Sequence, residues 1–330
     1  MLRGQELGER IMRMGLLRGL ALTLGLMALP AAAQDAWPTR PVRMVVGFPA
    51  GGPTDIPARI IAEKLRQRLS QPIVVENRSG AGGRIALDHV LAQPRDGHTL
   101  LVCTYIDALN TLGANRPYPL SDMAPISQIT RAYYALVVPN DLPVRSAPEF
   151  VALARQRREG LAFGHVGGAS MPNLVARIFE GLTDITMVEV PYRGTPPVLQ
   201  DLIGGRLQLF VGPLVNTMPL AQAGQVRAIG MTSPERLPVA PQVPTLREQG
   251  IDLVAYGWLG ICGGAGTPPA VVAQVNRLVV EAVASPEYRT AVEGTGASAV
   301  SSSPEELRQL MEATVAQYGP VIRRFSIPLD

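Results

Sequence analysis

Short apolar runs that end in glycine-rich turns and pass directly into amphipathic helices are the feature that most restricts this chain. Val42–Phe48 is such a run; Pro49-Ala-Gly-Gly-Pro53 ends it, and Ile56, Ile60, Ile61, Leu65 and Leu69 then recur at helical spacing. Ile73–Glu76 repeats the pattern, with Gly80-Ala-Gly-Gly83 and a helix over 84–93 behind it, and Thr99–Thr104 is a third strand. Strands that are apolar throughout, separated by helices, predict an α/β fold with a mainly parallel sheet flanked by helices on both faces.

A second series of the same kind follows. Ala135–Val138 closes the first, and Pro139-Asn-Asp-Leu-Pro143 reads as a crossing point. Strands are expected near Leu161–Val166, Met187–Val190, Leu207–Val211 and Val226–Met231, with helices near Met171–Leu182, Pro197–Ile203 and Val215–Ala223. Val254–Cys262 reads as a strand long enough to return to the first series, with helices at Pro268–Ser285 and Pro304–Phe325 packed there. The expected organisation is two lobes, 34–138 plus 257–330 and 139–256, with a ligand cleft between them.

Residues 1–33 read as a secretory signal peptide rather than domain: Arg13 and Arg18 precede the apolar run Leu20–Leu29, and Ala31-Ala-Ala33 supplies a cleavage site after Ala33. That segment carries four Arg and two Glu, so its removal takes the formal charge from +3 to +1. A nearly neutral exported chain with dispersed Arg and a single lysine, Lys64, has no basic cluster for nucleic acid. Export also places Cys103 and Cys262, the only cysteines, where disulfides form; a disulfide and two buried free thiols are both open.

The turns carry the candidate chemistry. In Phe48–Asp55, Gly51 and Gly52 let backbone N–H groups approach a ligand, and the helix start behind Thr54 favours an anion; the alternative is a capped tight turn. Asp55 would repel an anion and is expected to cap the helix and pair with Arg59. Val166-Gly-Gly-Ala-Ser170, with Gly168, Ala169 and Ser170, is a second helix start of this type, and the pair could grip a carboxylate from two sides. His165, Tyr192 with Gly194, and Thr104 with Tyr105 stand at strand ends, each as a ligand contact or as an ordinary part of a turn.

Enzyme patterns fail in detail. Gly168-Ala-Ser170-Met-Pro172 lacks the last glycine of a nucleophile elbow, Ile85 stands where a dinucleotide fingerprint needs its third glycine, and no Walker lysine is present. His89, His98 and His165 have no metal-ligand spacing, so neither a metal nor a cofactor is expected.

The ordered series Trp37–Asp55 (WPTRPVRMVVGFPAGGPTD), Val75–Gly83 (VENRSGAGG), Asp96–Leu100 (DGHTL), Val190–Gly194 (VPYRG), Asp201–Gly205 (DLIGG), Arg227–Ser233 (RAIGMTS), Val243–Thr245 (VPT) and Ala265–Pro268 (AGTP) resembles the substrate-binding proteins of tripartite tricarboxylate transporters, the Bug family. The resemblance implies a type II periplasmic binding protein, two lobes closing like a flytrap on a small carboxylate. It implies delivery to a membrane transporter of one large and one small integral subunit; the chain itself is expected to act as a monomer. By that resemblance the loops matching Phe48–Asp55 and Val166–Asn173 hold the carboxylate, and Phe48 with Tyr105 or Tyr192 covers the ligand's apolar body. Two departures stand out. Pro53 removes one N–H donor from its loop. Gly212 stands where many relatives carry an aspartate, which weakens an amino-acid ligand and is expected to leave room. A periplasmic carboxylate sensor signalling to a membrane kinase is the rival from another class, and an enzyme the third.

Overall fold

In the computed structural model the described residues are 37–113, 118–157 and 159–329. The signal segment read at 1–33 lies outside them. The unit Arg40–Asp330 contains every element named below.

Its first third follows the sequence pattern closely. Strand β1 (Val42–Val46) pairs in parallel with β2 (Ile73–Asn77) and β3 (Thr99–Thr104), and helices α1 (Asp55–Arg66) and α2 (Arg84–Leu91) connect them. Val42, Met44, Val45 and Val46 are all fully buried, which is why β1 reads as continuous apolar sequence rather than an alternation. A short helix α3 (Tyr105–Leu109) leaves β3 directly.

Strand β4 differs from expectation. It runs over 17 residues, Met123–Pro139, where sequence gives only Ala135–Val138. Register shifts at Pro125/Ser127 and Gln128/Thr130 break its period of two, and buried Ser127 and Gln128 hide it among polar residues. From Met123 to Tyr133 it pairs antiparallel with β9 (Tyr256–Gly264), and from Tyr134 to Pro139 with β7 (Leu209–Pro213) and β8 (Val226–Met231). One strand therefore belongs to both halves of the strand order β2-β1-β3-β9-β4-β7-β5-β6, in which β5 is Leu161–His165 and β6 is Met187–Pro191.

The second half holds β5 (Leu161–His165) and β6 (Met187–Pro191), parallel to each other, with β7 parallel to β5. Its helices are α4 (Ala147–Gln156), α5 (Met171–Thr183), α6 (Thr195–Ile203) and α7 (Leu214–Gln222). Helix α4 was absent from the sequence expectation, although Ser146-Ala-Pro-Glu149 is a cap signal: the Ser146 hydroxyl accepts from the Glu149 N–H at 3.3 Å. Its Phe150 packs on Phe179 of α5, ring centroids 6.2 Å apart, in the core beneath this half.

Helices α8 (Pro269–Val283) and α9 (Pro286–Glu293) return to the first half, where the two-residue strand β10 (Ser298–Ala299) pairs with β4. Helix α10 (Pro304–Arg324) then packs against α3, α5 and β4, joining both halves through Tyr318 and Ile322. Among the described residues no helix is long and apolar enough to cross a membrane.

Candidate functional site

The turn after β1 is built around a buried carboxylate. Asp55, 1% exposed, accepts from the Gly51 N–H at 2.8 Å, Arg59 Nε at 2.7 Å and Asn77 Nδ2 at 2.8 Å, while Asn77 Nδ2 also donates to the Phe48 carbonyl at 3.0 Å. Burial alone would push this carboxyl up; the Arg59 guanidinium, then the Gly51 and Asn77 donors, outweigh it and hold it below the usual range. Asp55 thus shapes the loop from behind, and Gly51 and Gly52 belong to that scaffold. The Thr54 hydroxyl makes no capping bond.

At the end of β3, Thr104 and Asp107 form a capping box: the Thr104 hydroxyl accepts from the Ile106 and Asp107 N–H groups, and Asp107 Oδ2 accepts from the Thr104 N–H at 2.7 Å and hydroxyl at 2.9 Å. This box fixes the start of α3 and aims Tyr105 across to the other half, where the Met171 N–H meets its hydroxyl. Burial pushes the Tyr105 phenol up to about 12, against that bond.

Four sequence-predicted residues, Phe48, Thr54, Thr104 and Tyr105, line one cavity of about 370 Å³. Thr130, Ala132 and Tyr134 of β4 form its floor, and Thr195 at the start of α6 with Pro213 and Asn216 at the start of α7 close it from the second half. None of its lining residues is Asp, Glu, Lys, Arg or His. Its polar surface consists of hydroxyls, one amide and the starts of α1, α6 and α7. At α1 the Asp55 and Ile56 N–H groups already donate to the Gly52 carbonyl and Pro57 has none, and at α6 Pro196 and Pro197 have none. That leaves α7, whose first turn holds no proline, as the start richest in N–H donors. Such a surface stabilises negative charge without a cation, and Phe48, Ile106, Trp258 and Leu259 offer contact to an apolar body.

The other sequence-predicted residues stand elsewhere. The loop after β5 folds on itself: Ser170 Oγ donates to the Gly167 carbonyl at 2.7 Å and Asn173 Nδ2 to the Gly168 carbonyl at 3.0 Å. Gly168 lies against the chain's C-terminal segment, so that a Cβ there would sit 2.3 Å from the Pro328 carbonyl oxygen, and Ala169 is buried beside it. His165, 2% exposed, turns into the second half, with Nδ1 2.9 Å from the Gly167 carbonyl and Nε2 2.8 Å from Glu189, out of line for a hydrogen bond. Glu189 also pairs with Arg177, whose guanidinium stacks over Phe163 and Phe325. Tyr192 donates to Asp201 at 2.6 Å, and burial, then that bond and charge, push its phenol up to about 12.

Gly194 caps α6 without lining the cavity. The room expected at Gly212 is already filled, because a Cβ there would meet Thr217 Cγ2 at 2.3 Å and the Phe210 ring at 2.5 Å. Thr195 and Asn216, which sequence reading missed, each sit in the first turn of a helix; α6 follows its strand by one short turn, the same signal that marks Thr54, and α7 leaves β7 directly.

Cys103 and Cys262 form a disulfide on the adjacent antiparallel strands β3 and β9, Cα atoms 5.9 Å apart, which settles the choice left open by sequence. Among the described residues no group of three or more His, Cys, Asp or Glu could hold a metal ion.

The model of the tripartite tricarboxylate transporter family receptor, TctC, matches residues 57–327. Protein BugT of Bordetella pertussis is 31% identical over 310 residues, 92% of this chain and 95% of that one. Among solved structures, R. palustris Rpa4515 with adipate is 33% identical with a TM-score of 0.73, covering 88% of this chain and 99% of the other. MatC from Rhodopseudomonas palustris with bound malate is 30% identical with a TM-score of 0.71, covering 87% and 100%. Sequence and fold agree, and the chain belongs to the tripartite tricarboxylate transporter receptor family, which is one of periplasmic substrate-binding receptors and not of enzymes.

Proposed function

We propose that the chain captures a small carboxylate in the cavity between its two halves and delivers it to a membrane transporter of one large and one small integral subunit. The observation that carries this reading is a cavity walled by neutral hydroxyls, one amide and the N-terminus of α7, with no charged side chain to repel or over-bind an anion. Two similar structures, Rpa4515 and MatC, hold adipate and malate, both carboxylates. In this reading residues 1–33 are a signal peptide cleaved after Ala33, and the mature chain is a periplasmic monomer. Its lobes, 34–138 plus 257–330 and 139–256, meet at the cavity. The carboxylate is held from the first lobe by Thr54 and from the second by Thr195 and Asn216.

A hydrogen bond to a charged group is worth roughly 1.5–3 kcal/mol. Thr54→Ala and Thr195→Ala are each expected to weaken binding by about 10- to 150-fold, at 1.4 kcal/mol per decade. Ser170→Ala, whose hydroxyl is engaged within its own loop, serves as the comparison and is expected to bind as the parent does. The screen is thermal melting with mono-, di- and tricarboxylates, aromatic acids, amino acids and neutral sugars, followed by calorimetry. At 100 times its dissociation constant a ligand adds about 2.7 kcal/mol of stability. A melting response to neutral sugars alone, or unchanged carboxylate affinity in both threonine variants, would remove the reading.

A further inference from the structure

A second, larger hollow lies beside the ligand cavity. It measures about 700 Å³, and Leu214, Met218, Leu237 and Val239 give it an apolar wall. Val215 and Ala297 line both spaces, so only one thickness of chain parts them. Successive residues alternate across that partition. On β4, Thr130, Ala132 and Tyr134 face the inner cavity while Arg131 and Tyr133 face the outer hollow. In the segment before β10, Thr295 faces inward and Gly294 and Gly296 outward.

The partition closes where two sequence-distant segments touch. Gly296, at φ +75°, approaches the start of α7 so closely that a Cβ on it would stand 2.7 Å from the Val215 nitrogen and 3.0 Å from Val215 Cβ. A residue with a side chain would be strained at that φ and would push Val215 away, so glycine here permits the contact. Val215 contributes the rest of the barrier, with its side chain facing both spaces and the residue 42% exposed.

We propose that Gly296 and Val215 form the wall that limits ligand length, making them the specificity-determining residues of this receptor: acids that end short of the wall are accepted and longer ones are rejected. The proposal rests on the carboxylate reading of the inner cavity, and it adds that shortening Val215 joins the two spaces into one long channel, whose outer part has the apolar wall of Leu214, Met218, Leu237 and Val239 beside Arg131 and Glu293. An acid with an extended alkyl body would then run past Ala297 into the outer hollow.

The test is calorimetry with straight-chain monocarboxylates from butanoate to dodecanoate on the parent and on Val215→Ala, a substitution at a half-exposed position that leaves the core intact. Affinity for the parent is expected to rise with chain length and then fall off sharply. In Val215→Ala the fall should move to longer acids, and the first acid the parent rejects should bind about tenfold more tightly. An identical cut-off in the two proteins overturns the wall. Should the parent bind no acid of the series, the comparison is repeated with straight-chain α,ω-dicarboxylates of increasing length, and an identical cut-off in the two proteins again overturns the wall. If the parent binds no acid of either series, the carboxylate reading falls and the wall falls with it, an outcome distinct from binding with an unchanged cut-off.

Discussion

Asp107 shows how one residue can serve two neighbours at a cost. It is 2% exposed, its Oδ2 caps α3 and its Oδ1 has no partner. Burial raises its carboxyl from 3.8 to about 7, with the Thr104 bonds pulling the other way. An unfolded chain gives up this proton near 3.8 and the folded chain near 7, so the folded state holds it across that interval. The contribution is therefore complete below about 4 and is lost as pH rises through about 7. Urea denaturation followed from acid to neutral pH should show stability falling faster for the parent than for Asp107→Asn, which keeps a capping oxygen and does not titrate. The carboxylates held low, Asp55 among them, act in the opposite direction below this window and are common to both proteins. Parallel profiles would show that Asp107 is ionised throughout.

Among the elements, β3 and β9 are joined covalently as well as by hydrogen bonds. Neighbouring antiparallel strands bring Cys103 and Cys262 together from positions 159 residues apart, and both are fully buried. Cross-links over loops of this length remove unfolded-state entropy worth about 2–5 kcal/mol. The double variant Cys103→Ala with Cys262→Ala should lose stability on that scale, with a clearly lower melting temperature in a calorimetric scan. Thiol titration of the parent, denatured without reductant, should find no free thiol. Strand β4 teaches a different lesson. Its two register shifts turn polar residues inward, so the strand that joins both halves is the one sequence periodicity reveals least.

Over the whole molecule, the end of the chain braces the second half against the first. Ile327 is 7% exposed in the core shared with α10, and the Pro328 carbonyl lies on Gly168, while the Leu329 carbonyl lies near Gly82, 3.6 Å from where a Cβ would stand. Gly168→Ala forces a carbon into that contact and is expected to cost about 1–3 kcal/mol, the usual range for overpacking. The same substitution in a chain truncated after Ser326 should cost far less, because the atom it meets is gone. A double-mutant cycle by denaturant titration measures that coupling, and equal costs in the two backgrounds would show that the tail does not set the loop.

What the sequence determined by itself was local. A helix start is written within a few residues: an apolar run, a glycine or proline turn, then helical spacing. For that reason β1, β3, α1 and α5 fall close to their expected limits, and Phe48, Thr54, Thr104 and Tyr105 could be singled out as strand-end residues beside helix starts. Membership of the receptor family was legible for the same reason, since its motifs are these turns in order. Which helix starts face the cavity is not local. Val166–Ser170 and the turn at Gly194 carry the same kind of signal, yet the first lies against Pro328 and the second supplies Thr195 to the cavity wall. That choice was made by the C-terminal segment and by β4 crossing between sheets, contacts between residues far apart in the chain. A turn's hydrogen-bonding capacity is fixed by its own residues, but what it meets is fixed by packing, and packing exists only in the folded chain.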